Sequence, residues 1–163
     1  MLIGVISDTH IPERAASLPP DAFDAFREVD RILHAGDLTD ISVLAELEAI
    51  APVAAVFGNM DGPEARSRLK EKAVLEIGGA RIGLAHGSGK PDDLPERMRL
   101  AFGRDEVDAV VFGHSHRAFS QRLDGVLMFN PGSPTDTSFG RNRSVGLLRI
   151  GPDGIETKIV PIP

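Results

Sequence analysis

The chain contains no cysteine, tryptophan or tyrosine. Without cysteine there are no disulfides, no thiolate nucleophile and no sulfur-ligated metal site, so any metal must be held by oxygen and nitrogen. The aromatic residues are 8 phenylalanines in 163 residues, which offers no stacking platform for single-stranded nucleic acid. Excess positive charge is also missing: net charge is −6 and the pI is near 5.3. That excludes an extensive nucleic-acid surface built on broad basic potential. The opening "MLIGVISDTH" reads as a strand, and its apolar run is too short for a signal sequence or a membrane span. The expectation is a cytoplasmic protein with no membrane association, compatible with a homo-oligomer. The length suits one domain, 1–163, able to bury its own core.

Five short apolar runs end in polar residues, most of them beside glycine: "LIGVISD" (2–8), "RILHAGD" (31–37), "PVAAVFGN" (52–59), "ARIGLAHG" (80–87) and "DAVVFGHS" (108–115). Nearly continuous apolar runs of this length suit strands covered on both faces. Between the early runs, "PPDAFDAFREV" and "TDISVLAELEAI" carry helical apolar stripes, with Asp21 and Thr39 or Asp40 as candidate caps. This alternation predicts β-α-β-α-β and a parallel sheet. "LPERMRLAFG" is a later helix, closed by Gly103. The last third reads as two hairpins, one turning at Asp124-Gly125 and one at "PDG". Two packed sheets with helices outside account for the whole pattern.

In open α/β sheets, ligands bind beyond the carboxyl ends of the strands. Five such ends here carry Asp8 with His10, then Asp37, Asn59, His86, and His114 with His116. Taken singly, Gly-Asp and Gly-Asn are ordinary turn chemistry. Two histidines at one strand exit are harder to explain by packing, and the ordered set is harder still. The remaining histidine, His34, lies inside a strand and reads as a packed or hydrogen-bonded core residue. Carboxylates and imidazoles together suit Mn, Fe, Ni, Co or Zn, with Mn favoured, over an all-oxygen Mg or Ca site. Seven candidate ligands are about right for two such ions sharing a carboxylate. Two metals roughly 3.5–4 Å apart clamp the attacking and leaving oxygens of an in-line displacement and lower the pKa of a shared water. Gly36, Gly58 and Gly113 each precede a ligand, where a missing Cβ permits a sharp turn and close approach of a substrate.

The motifs "DTH" (Asp8, His10), "GD" (Gly36, Asp37), "GNMD" (Gly58, Asn59, Asp61), "HG" (His86, Gly87) and "GHSH" (Gly113, His114, His116) resemble those of the calcineurin-like metallophosphoesterase family. The closest likeness is to its small single-domain bacterial and archaeal phosphodiesterases, and "NPGS" (130–133) extends it. The resemblance implies an α/β fold, a four-layer α/β/β/α sandwich of two mixed sheets flanked by helices. It implies a dinuclear centre, with one metal on Asp8, His10, Asp37 and His116. The other would sit on Asp37, Asn59, His86 and His114, with Asp37 as the bridge. It also implies hydrolysis of a small-molecule phosphoester, a phosphodiester being favoured, by a metal-bridging hydroxide. In that reading Asp37, Asn59 and His86 are catalytic through the metals, and Asn59 is also a substrate contact.

Two positions depart from the family pattern. Many members have "GNH", whose histidine is taken to protonate the leaving oxygen; Met60 stands there. Others have a histidine at the position of Ser88. General acid catalysis contributes about 10²–10⁴-fold, so its loss favours diesters or activated aryl esters over alkyl monoesters. Asp61 or a metal-bound water is the alternative proton source. Arg141 and Arg143 are candidate bidentate donors to a substrate phosphate, against the plainer reading of a solvated loop. Asn130 and Ser133 read as turn-formers. The competing functions are a scaffold that keeps the fold, as the related retromer-coat subunit does, and a metal-dependent nuclease.

Overall fold

A computed structural model describes residues 1–138 and 142–163. In chain order the elements are β1 (Leu2–Ile6), α1 (Pro20–Ala25), β2 (Arg31–His34), α2 (Ser42–Glu48), β3 (Val53–Ala55) and α3 (Pro63–Arg68). They continue with β4 (Lys72–Ile77), β5 (Ala80–Ala85), α4 (Leu94–Ala101), β6 (Ala109–Val111) and β7 (Phe119–Leu123). The chain finishes with β8 (Val126–Asn130), β9 (Ser144–Gly151) and β10 (Gly154–Pro161). One sheet has the order β10-β9-β1-β2-β3 and the other β4-β5-β6-β8-β7. Strands β1, β2 and β3 are mutually parallel, as are β5, β6 and β8, while β9, β10, β4 and β7 run antiparallel to their neighbours.

Strand alternation assembles the layers. Ile3 and Val5 of β1 join Ile82, Leu84, Val111 and Phe129 in a core between the two sheets. The opposite face of the first sheet, through Ile6, Ile32 and Val145, packs on the helical i, i+4 pairs Ala22/Phe26 and Val43/Leu47. The outer face of the second sheet, through Val110, Phe112 and Met128, packs on Leu94, Met98 and Phe102 of and just after α4. Helix, sheet, sheet and helix stack in that order, which is the four-layer α/β class expected from the motifs.

Glycines set the helix-to-sheet spacing at two matching positions. A Cβ on Gly4 would lie 2.7 Å from the Phe26 ring, and one on Gly83 would lie 2.7 Å from the Phe102 ring. Each sheet thus receives one phenylalanine laid against its backbone. Burying such a ring fully contributes about 1.5–3 kcal/mol.

Local details differ from the sequence reading at three places. Asp21 does not cap α1, which starts at Pro20; the residue lies in the first turn. Asp40 sits one residue before the N-cap of α2 and accepts the Ser42 N–H at 2.8 Å instead. Strand β4 and helix α3 have no counterpart in the sequence pattern. In β4, Lys72 and Glu76 interrupt the apolar run because this is an edge strand, where charge blocks further pairing. Its two-residue link to β5, Gly78-Gly79, has both φ values positive (59° and 85°), as a tight hairpin requires. The expected Asp124-Gly125 hairpin has the same character, with φ of 48° and 80°.

Candidate metal centre

The carboxyl ends of β1, β2, β3, β5 and β6 deliver the seven predicted side chains to one place. Loop-to-loop hydrogen bonds link neighbouring strand ends there: Asp8 N–H to Gly36 O at 3.0 Å, and Gly113 N–H to His86 O at 3.1 Å. The His114 N–H reaches across to the Asp8 carboxylate at 3.0 Å, joining the two sheets. Asn130 and Ser133 complete the bracing, donating to Gly113 O at 2.7 Å and Asp8 O at 2.8 Å. They act as the turn-formers expected of them.

The loops are strained where the ligands sit. Asp8, His10, Asp37, His114 and His116 all have left-handed backbone, with φ between 44° and 68°. Such non-glycine conformations cost about 1–3 kcal/mol each and persist only when their surroundings impose them. Two glycines make room for neighbouring side chains rather than for a substrate. A Cβ on Gly58 would run into Asp37 Oδ1, and one on Gly113 would run into Ser7 Oγ and lie 2.7 Å from Asp8 Oδ2.

The side chains converge tightly. His116 Nε2 is 3.2 Å from Asp8 Oδ1, and His86 Nε2 is 3.2 Å from Asp37 Oδ2. His10 Nε2 lies 3.6 Å from Asp37 Oδ2 and 3.2 Å from His116 Nε2. Asn59 Oδ1 stands 3.1 Å from His86 Nε2 and 3.0 Å from His114 Nδ1. Two groups of ligand atoms fall within 4.8 Å of one another, Asp8/His10/His116 and Asp8/Asp37/His86. Asp8 borders both groups, and Asp37 Oδ2 also faces both His10 and His86.

The far nitrogens of three imidazoles are already engaged. His86 Nδ1 is 2.7 Å from Ala35 O, His116 Nδ1 is 2.5 Å from Asp136 Oδ2, and His114 Nε2 is 2.8 Å from Gly89 O. Donation to those acceptors leaves the near nitrogen of each neutral ring as a bare lone pair. In His86 and His116 that lone pair faces carboxylate oxygen, which is repulsive unless a proton or a cation lies between. The titration behaviour follows. Burial disfavours the charged form of His86, but the Asp37 hydrogen bond and the charges of Asp8 and Asp37 outweigh it and hold its pKa up at about 9. His116 is raised in the same way, burial being outweighed by Asp8 and Asp136. Asp8 is held below its ordinary value: burial pushes it up, while His116 and His86 pull it down further. Asp37 is likewise lowered, with burial opposed chiefly by His86 and by the Met60 N–H. In His10 burial wins, pushing the pKa down despite Asp8 and Asp37. An oxygen-and-nitrogen donor set of this kind, buried at Asp8, His10, Asp37 and His86, fits divalent transition metals.

Asp61 is 3% exposed and spends both oxygens on backbone. It accepts from Gly58 N–H at 2.7 Å, Asp37 N–H at 2.9 Å and Thr39 N–H at 2.8 Å. Met60 is half exposed, and its N–H donates to Asp37 Oδ1 at 2.8 Å. His34 is fully buried, bonded to Gly36 N–H and Thr9, as its position inside a strand suggested. Arg141 lies outside the described residues. Arg143 precedes β9 and accepts the Ile162 N–H through its carbonyl, and no hydrogen bond or ion pair joins its side chain to the cluster among the described residues. The sequence reading missed Asp136 and its partner Arg14, 2.7 Å apart, because neither belongs to a recognisable spacing.

Comparison with known proteins identifies the family. The model of the calcineurin-like phosphoesterase superfamily domain matches residues 1–153. A probable metallophosphoesterase of Methanothermobacter thermautotrophicus is 45% identical, over 98% of this chain and 92% of its own. A phosphodiesterase of Methanocaldococcus jannaschii is 28% identical over 81% of this chain and 83% of its own. Among solved structures, Vps29 of Entamoeba histolytica in complex with zinc superposes with a TM-score of 0.79 and 26% identity, covering 99% of each chain. Fold, strand-end motifs and family model coincide, and the chain belongs to the calcineurin-like phosphoesterase superfamily.

Proposed function

We propose that residues 1–163 form one cytoplasmic domain that hydrolyses phosphodiesters at a dinuclear centre. One ion is assigned to Asp8, His10, Asp37 and His116, and the other to Asp37, Asn59, His86 and His114. The observation that carries the assignment is the convergence of His10, His86 and His116 Nε2 on Asp8 and Asp37, with the opposite nitrogens of His86 and His116 bonded elsewhere. Divalent transition metals, manganese first among them, supply charge neutralisation on the phosphoryl oxygens and activation of water near neutral pH.

The chain's own groups divide the remaining work. Asn59, exposed at the rim, offers an amide to a non-bridging oxygen of the ester. Asp61 orders the loops that carry Asp37 and Asn59, a positioning role that leaves it no free oxygen to protonate a leaving group. Met60 at the rim cannot donate a proton either. Diesters and esters with good leaving groups are therefore favoured, since their departing oxygen needs least protonation. Similarity to a phosphodiesterase supports the same choice.

The likeness to Vps29 favours a second reading, a binding scaffold that retains the metal site. One experiment separates the two. Protein stripped with chelator is supplied with Mn, Ni, Co, Zn or Mg and assayed on an aryl diester and the matching monoester. Metal-dependent turnover with preference for the diester is expected. Retained metal with no turnover of either ester overturns the hydrolase reading in favour of the scaffold.

A further inference from the structure

A cleft of about 480 Å³ opens directly from the metal centre. Asn59 and His86 belong to both the cluster and the cleft lining, so anything bound at the centre has this space beside it. Away from the centre the walls become apolar: Phe57, Leu94, Met98 and Ala101. Leu94 and Met98 are core residues of α4, so these walls are pre-formed.

Arg66, Lys72 and Arg97 line the cleft together with the acid Glu71. Two of the cations are committed. Lys72 Nζ is 2.5 Å from Asp105, and Arg97 is paired with Asp93 and bonded to Ser88 O and Lys90 O. Arg66 is not committed in this way. Its Nε and Nη2 donate to the carbonyls of Asp61, Gly58 and Asn59, which locks the plane. Its guanidinium lies over the Phe57 ring at 4.7 Å. Among the described residues no carboxylate pairs with it, and its Nη1 has no partner. A fixed, unneutralised guanidinium beside apolar walls suits a flat aromatic group attached to an anion.

We infer that this cleft is the subsite for the organic group of the ester, and that it selects a flat aromatic substituent. The inference rests on the hydrolase reading for its location, and it names the substrate class that reading leaves open. Aryl or heteroaryl phosphodiesters fit the cleft, the ring lying between Phe57 and α4 with Arg66 beside it, while the phosphate sits at Asn59 and His86. Simple alkyl esters leave the walls unused.

The test fills the cleft from α4. Ala101→Trp places a ring into it, and Leu100→Trp puts the same ring on the neighbouring residue, which is 79% exposed and outside the lining. Binding of 1-naphthyl phosphate and of inorganic phosphate to zinc-loaded protein is followed by methyl NMR. Naphthyl phosphate is expected to bind at least tenfold more tightly than inorganic phosphate and to shift the Leu94, Met98 and Ala101 methyls. Ala101→Trp should abolish that advantage, and Leu100→Trp should keep it. In parallel, KM for a naphthyl methyl diester should rise at least tenfold in Ala101→Trp, with the inhibition constant of dimethyl phosphate as a competitor unchanged. Equal binding of the two phosphates, shifts at other methyls, or affinity unaffected by Ala101→Trp overturns the subsite. Absence of turnover for every ester refutes the hydrolase reading separately, because the NMR titration decides the cleft without catalysis.

Discussion

The carboxylate of Asp136 lies 2.5 Å from His116 Nδ1 on one side and 2.7 Å from Arg14 Nη1 on the other. It is buried and turns the second ring nitrogen of His116 towards Asp8. A ligand histidine anchored through its far nitrogen is held in one tautomer and one orientation. Asp136→Asn keeps the shape but weakens that anchor. Its metal affinity should fall about 10–100-fold while the fold survives, as measured by competition with a chromophoric chelator. Unchanged affinity would assign Asp136 a purely structural role.

Metal binding should depend on pH in a defined direction. In the metal-free protein His86 keeps its proton up to about 9, above the ordinary 6.5, and His116 is raised as well. Coordination requires both protons to leave. Affinity should therefore climb as pH rises from 6.5 towards 9, and metal uptake at neutral pH should release protons. Calorimetry in buffers of different ionisation enthalpy counts them. No proton release would show that these nitrogens are not ligands.

Met60 offers a gain-of-function test. It is 52% exposed, and only its backbone is used, on Asp37. Met60→His should accelerate esters with poor leaving groups by about 10²-fold or more and leave activated aryl esters nearly unchanged. The measured quantity is the slope of log kcat/KM against leaving-group pKa, which should flatten in the variant. An unaltered slope would place the proton source elsewhere.

His34 links the core to acid stability. Burial, with the charges of His86 and His10, outweighs Asp8 and Asp37 and pushes its pKa down to about 3. The folded state holds it neutral, whereas the unfolded chain protonates near the ordinary 6.5. Between those values the unfolded state binds more protons, so stability is full above 6.5 and falls as pH drops towards 3. A group of this kind contributes up to about 1.4 kcal/mol per pH unit. His34→Gln should flatten the acid limb of urea-derived stability in metal-free protein by roughly that slope. An identical slope would contradict the assignment.

The sequence is informative about whatever local chemistry determines. Strand ends carrying Asp8, His10, Asp37, Asn59, His86, His114 and His116 are legible because apolar runs stop there and ligand types begin. The β1-α1-β2-α2-β3 alternation and both late hairpins are legible for the same reason. Strand β4 is not, since its Lys72 and Glu76 answer to edge exposure rather than to core packing. Asp136 is not, because it meets His116 across twenty residues of chain and only in three dimensions. Asp61 belongs to the right motif, but its place among backbone donors is not legible in it. The three backbone N–H groups that surround it come together only once the loops are folded. A glycine before a ligand suggests room for a substrate, yet Gly58 clears space for the carboxylate of Asp37 and Gly113 for the side chains of Ser7 and Asp8.

The most direct test is a metal count joined to anomalous diffraction on protein reconstituted with manganese. Two ions per chain about 3.5–4 Å apart, both touching Asp37 and together enclosed by the other six side chains, are predicted, with Asp37→Ala losing the pair and its turnover. A single ion away from Asp37, or undiminished turnover in that variant, would contradict the account.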